Sequence, residues 1–261
     1  MTTKITHLVV NGCSWTYGAG LKNPVEESWA GLIAKRLNLP LVNLALPGCG
    51  NDSIHRRTYD YIFQNLCFKN NPLVIVAWSQ MTRREAWFNE TKSYEDIHIG
   101  PDSEIDKFNH HQLGHLLEYN TEDHCRRTLL FQSSLKATLR LFNITHLTTD
   151  YSHNEDSQWK FNETAMDIKE KNSEMFNFIH DRFHLSPFSE LVRTVNKLPC
   201  GHEDIEGHNI IAEFVLSKIS ELIGEITPDT DSQFLSLKDF ENKKYYNTNN
   251  NAWYEHTKNS L

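Results

Sequence analysis

The chain has 261 residues, 39% hydrophobic and 23% charged, with a net charge of -8, which suits one α/β domain carrying insertions. Its acidic balance, with no basic run beyond doublets such as Arg56-Arg57, Arg83-Arg84 and Arg126-Arg127, excludes a nonspecific grip on nucleic acid, because phosphates need clustered cations. No apolar run approaches the ~20 residues that span a bilayer, and the first residues lack the apolar core and cleavage site of a secretion signal.

Residues 5–11 are short, β-branched and closed by Gly12, which predicts a buried strand. Residues 26–38 space Trp29, Leu32, Ile33 and Leu37 as a helix does, with Pro24 just ahead. Residues 41–46 read as a second strand, ended by Pro47-Gly48-Cys49-Gly50. Residues 53–68 read as a second helix, and 73–78 as the third and most apolar strand. This βαβαβ run favours a parallel sheet with right-handed crossovers. The pattern then blurs. Residues 84–122 read as a polar insertion, 123–142 as a helix, 144–149 as a fourth strand, and 151–197 as a second insertion with helical pieces such as 172–183. A final helix follows over 207–223. Residues 1–226 thus form one domain, and the polar, Asn-rich stretch 227–261 reads as an arm or tail.

Four segments sit where a parallel sheet places ligands, at strand ends and helix starts. Gly12-Cys13-Ser14-Trp15-Thr16-Tyr17-Gly18 follows the first strand and aims a hydroxyl and turn N–H groups at one crevice; the plain alternative for Ser14 is a cap. Asn43 to Asp52 follows the second strand, and its glycines let the backbone present an unobstructed N–H, as an oxyanion donor must. Trp78-Ser79-Gln80-Met81-Thr82-Arg83 follows the third; Ser79 and Gln80 offer side-chain donors, and Arg83 a forked donor for an anionic group. Pro199 to Ala212 precedes the last helix and carries His202 and His208, either of which is placed to serve a nucleophile as general base.

Together these segments resemble the SGNH (GDSL-like) hydrolase superfamily, in particular a branch seen in bacteriophage genomes with a GCS-x-TYG opening. The resemblance covers the N-terminal third and the histidine segment. It implies a flavodoxin-like three-layer α/β sandwich with a mainly parallel sheet and a serine hydrolase acting on esters. Ser14 falls at the family's nucleophile. Gly48, with Asn43 opening its block, falls at the oxyanion glycine, and His202 at the base. Gly48, Ser79, Asn51, Trp78 and Arg83 are the candidates for oxyanion and substrate contacts. The chain departs from the family in three places: Gly-Cys-Ser replaces Gly-Asp-Ser, Ser79 stands in for the oxyanion Asn, and Pro199 takes the place of the acid three residues before the histidine. Asp204, Glu203 or a backbone carbonyl remains to orient the imidazole, and His208 with Asp204 is the alternative base. The expected substrate is a carbohydrate acetyl ester or small acyl ester, with no cofactor and no nucleic-acid or membrane partner. The readings of a different class are a binding or adaptor protein on the same scaffold, motivated by those departures, and an acyltransferase.

Fourteen histidines raise a metal reading. His111 and His115, and His180 and His184, are spaced to share a helix face, but no carboxylate pattern accompanies either pair, and the bland reading of polar surface is favoured. Trp78, Trp87, Phe88 and Tyr94 line a cleft or close the core. Cys13, Cys49, Cys67, Cys125 and Cys200 are odd in number and never form CxxC, which points to a reducing compartment, the cytoplasm. Cys13 ranks below Ser14 as a nucleophile, because a buried cysteine is usually inert packing.

Overall fold

The computed structural model describes residues 2–65, 70–81, 83–88, 93–97, 120–150 and 163–241. In chain order the elements are β1 (Thr2–Ile5), β2 (Leu8–Asn11), α1 (Ser14–Tyr17), α2 (Pro24–Glu27), α3 (Trp29–Leu37), β3 (Leu41–Asn43), α4 (Asn51–Asn65), β4 (Leu73–Trp78), β5 (Arg84–Phe88) and β6 (Ser93–Ile97). There follow α5 (Thr121–Leu141), β7 (Thr145–Asp150), α6 (Glu163–Lys171), α7 (Ser173–Ile179), β8 (His184–Leu185), α8 (Phe188–Leu191), α9 (Ile205–Leu222), β9 (Glu225–Pro228) and α10 (Leu237–Glu241).

The central sheet has the order β3-β2-β4-β7-β8, and every pair in it is parallel. This is the flavodoxin-like doubly wound order, with its switch point between β2 and β4. Alternation along the strands builds two cores. Leu8, Val10, Leu73, Ile75 and Ala77 face Trp29 and Ile33 of α3, Ile211 and Val215 of α9, and Phe188 of α8. Val9, Val74, Val76 and Trp78 face Ile54 and Tyr61 of α4, Leu135 and Leu139 of α5, and Phe240 of α10. The three layers expected from sequence are therefore present.

The differences have physical causes. The first strand is broken at Thr6-His7. The His7 side chain bonds Thr6 and Tyr61, and β1 leaves the main sheet to pair with β9. Ser28 divides the first helix: its hydroxyl accepts the Gly31 N–H and restarts the chain as α3. Part of the second expected insertion belongs to the main body, since β8 is the fifth strand and Leu185, Phe188 and Val192 are core residues. The expected tail is anchored as far as α10. Leu235 and Phe240 are buried, and the Tyr61 hydroxyl donates to the Leu235 carbonyl at 2.6 Å. Residues 242–261 lie outside the described residues, as does most of 89–119, including His111 and His115.

Gly31 is required where α2 meets α3. A Cβ there would stand 2.1 Å from the Val25 carbonyl oxygen. Alanine normally stabilises a helix interior by about 1 kcal/mol over glycine. Here Gly31→Ala is expected to lower the thermal midpoint by about 5 °C instead, because backbone must shift to admit the methyl. A circular-dichroism melt checks this, and a raised midpoint would contradict the close approach.

Candidate active site

The site lies at the carboxyl ends of β2, β3 and β4. Gly12 leaves β2 and fits only as glycine, since a Cβ would come within 2.1 Å of the Thr16 hydroxyl and 3.0 Å of the Ala77 carbonyl. Its carbonyl then pins the second segment, accepting the Leu46 N–H at 3.2 Å and the Cys49 thiol at 3.1 Å. Ser14 opens α1 with Cys13 as a cap residue that makes no side-chain cap bond. Ser14 is 7% exposed. Among the described residues its hydroxyl has no hydrogen-bond partner, so it does not serve as a cap. Gly48 has a φ of +84°, and nothing lies within 4 Å of the position its Cβ would take. Its N–H makes no hydrogen bond to a described residue.

The third segment is held by Asn51. The Asn51 side-chain oxygen accepts the Ser79 N–H at 2.8 Å, and its amide nitrogen reaches the Thr128 hydroxyl at 3.5 Å. Asn51 is therefore occupied in positioning the Ser79 loop. The Ser79 oxygen accepts Arg83 Nη1 at 3.3 Å, which leaves its O–H free to donate. Trp78 is not in the cleft: it is 1% exposed and packed in the second core, the structural alternative weighed for it in the sequence. Arg83 lines a shallow surface hollow with Asn51, Asp52, Arg84, His124 and Arg127. Burial pushes the Asp52 carboxyl up to about 6, while the Glu85 and Ser53 N–H groups pull the other way.

The two histidines have different surroundings. His202 is half-buried on the loop before α9, with its ring edge-on to Trp15 at 5.8 Å between centroids. Burial lowers its pKa, Glu203 opposes the shift, and Arg83 adds to it. Its Nδ1 lies 3.4 Å from the Cys200 sulfur, the neighbour found where an orienting acid was sought. His208 is fully buried in the first turn of α9. Its Nδ1 accepts the Trp29 N–H at 3.1 Å, satisfying a donor that the start of α3 leaves open. Burial lowers its pKa to about 4. Asp204 is the N-cap of α9, accepting the Glu206 and Gly207 N–H groups at 3.0 Å each. Glu203 is fully buried, with one oxygen 3.2 Å from Lys197. The Ser14 hydroxyl is hydrogen-bonded to neither histidine.

No protein-family model and no curated protein sequence matches the chain. Its solved neighbours do match in shape. The crystal structure of TesA superposes with a TM-score of 0.51 at 14% identity, over 85% of this chain and 99% of that one. The chain shares the three-layer α/β fold of TesA. Other neighbours are the esterase EstA from Pseudoalteromonas sp. (TM-score 0.48, 11% identity, 84% of this chain and 100% of that one) and a G-D-S-L family protein from Desulfitobacterium hafniense (0.48, 14%, 82% and 99%). Identities this low speak to the fold. Among the described residues no helix is long and apolar enough to cross a membrane.

Sequence reasoning brought Ser14, Gly48, Ser79 and Arg83 to one end of the sheet from their positions after strands. Two roles were not visible in it. The Asn51 bridge joins segments far apart in the chain. The seating of Cys200 beside His202 follows from a turn at Gly201, whose φ is +81°.

Proposed function

We propose that this protein is a serine esterase of the SGNH type, with Ser14 as nucleophile and His202 as general base. The observation that carries the reading is that the Ser14 hydroxyl and the Gly48 N–H, on the segments that follow β2 and β3, both lack a hydrogen-bond partner among the described residues, at the switch point of a doubly wound sheet. Ser14 Oγ attacks the ester carbonyl while His202 takes its proton. The N–H groups of Ser14 and Gly48, with the Ser79 hydroxyl, receive the developing oxyanion. His202 then gives its proton to the leaving alcohol, and a water deprotonated by the same ring releases the acid. His202 is preferred to His208 because the latter is fully buried and its Nδ1 is committed to Trp29. The serine and histidine close to hydrogen-bonding distance when substrate fills the cleft, as free enzymes often require.

Without a carboxylate on His202 Nδ1, turnover is slow by the standard of full triads, where loss of the acid's role costs roughly ten-thousandfold. The proposed substrate is a carbohydrate acetyl ester or small acyl ester, and Arg83 favours one with a negative charge nearby. Cys13, Cys49, Cys125 and Cys200 form no disulfide with one another, which suits a reducing cytoplasm.

The test is labelling of the purified chain by a fluorophosphonate. Wild type is expected to be labelled, and Ser14→Ala is not. A folded wild type that takes no label moves the assignment to a binding protein on the same scaffold.

A further inference from the structure

At the end of β7, Asp150 meets two histidines that lie four residues apart further along the chain. Asp150 ends β7, His184 opens β8, and His180 follows α7. Both Nε2 atoms face the same Asp150 oxygen, at 3.4 Å from His184 and 3.8 Å from His180. The imidazole centroids are 4.3 Å apart, and one ligand atom from each residue lies within 4.8 Å of the others. The carboxylate that no sequence pattern supplied comes from the neighbouring strand.

The outer contacts define which atoms point inward. His180 Nδ1 lies 3.0 Å from the Phe176 carbonyl, which only accepts, so this nitrogen carries the hydrogen. In the neutral ring Nε2 is then a bare lone pair aimed at a carboxylate. Two lone pairs repel unless a proton or a metal cation stands between them. His184 Nδ1 is held 3.0 Å from the Thr148 hydroxyl, and Gln132 Nε2 donates to the other Asp150 oxygen at 3.2 Å. Each inner ligand thus has an outer partner fixing its orientation, as metal ligands do. The inner separations exceed those of ordinary hydrogen bonds. They approach the ~3.4 Å edge of a tetrahedron whose centre lies ~2.1 Å from each ligand, the geometry of zinc bound by imidazole and carboxylate. The Asp150 and His180 side chains are partly exposed, at 23% and 20%, which gives an ion a route in from solvent.

We propose that Asp150, His180 and His184 bind one divalent transition-metal ion of the zinc type, joining β7, β8 and the end of α7. The cluster shares no residue with the proposed esterase site and does not depend on the esterase assignment.

The test uses the full chain, stripped with a chelator and titrated with Co²⁺ as the visible probe, with Zn²⁺ as competitor. One equivalent is expected to bind. Asp150→Asn and His184→Gln are expected to weaken binding by about a hundredfold or more, while the paired change His111→Ala, His115→Ala leaves it unchanged. Zn²⁺ should also shield His180 and His184 of the wild type from diethylpyrocarbonate, a readout that needs no variant to fold. No saturable binding by the folded wild type, equal affinity in Asp150→Asn, or modification of both histidines undiminished by Zn²⁺ would overturn the proposal.

Discussion

His202→Ala is expected to lower ester turnover by roughly a hundred- to ten-thousandfold with little change in thermal midpoint, the range set by losing a general acid–base. His208→Ala is expected to do the reverse. It removes the acceptor of the Trp29 N–H and empties a fully buried site, which together cost about 3 kcal/mol. Its rate, measured where it remains folded, should stay within about threefold of wild type, since no catalytic proton passes through it. Paired kinetics and melts on the two variants separate the roles. Turnover abolished by His208→Ala at an unchanged midpoint, with His202→Ala still active, would exchange them.

Acid should unfold the protein well above the range where carboxylates protonate. Burial holds His7 down to about 3, and His55 and His208 to about 4. The hydrogen bonds explain why these rings stay neutral. The Tyr61 hydroxyl donates to Leu235 and so accepts from His7 Nε2, leaving His7 Nδ1 to accept from Thr6. His208 Nδ1 must stay bare to accept from Trp29. Unfolded, each ring takes a proton below about 6.5. The unfolded state therefore binds more protons, and stability is full above that pH and falls as pH drops toward the folded values. Each histidine removes roughly 2 to 3 kcal/mol between pH 6.5 and 4.5. Asp52 works the other way. Its folded value is raised to about 6, so the folded state gains relative stability as pH falls through that value. One such group offsets about 2 kcal/mol of the loss by pH 4.5. Urea unfolding at pH 8 and pH 4.5 should show the net loss, and equal stabilities would mean the three rings are charged in the folded state.

The sheet could be read from the sequence wherever one strand met both cores. Leu73 to Trp78 is apolar on both faces, and the structure buries all of it. His184-Leu185 escaped because two residues carry no periodicity, and only pairing with Thr148 and Thr149 makes them a strand. Phe240 escaped because its neighbours are polar and its partners, Tyr61 and Arg57, lie on α4. In the site, Ser14 and Gly48 were marked by the glycines that local geometry demands. The two histidines were ambiguous, since burial and the Trp29 contact arise only when α3 and α9 pack. The Asp150, His180 and His184 group was half-visible as a spaced pair, and its third member comes from another strand.

The pairing of β1 with β9 also bears on how the chain is made. Thr2 aligns with Glu225, and Ile5 with Pro228, whereas β2, β3 and β4 find one another within the first third of the sequence. During synthesis β2, β3 and β4 can assemble early, while β1 waits unpaired until β9 has been translated. Closing so distant a contact is entropically slow. The pairing of β1 with β9 is therefore expected to follow the assembly of β2, β3 and β4.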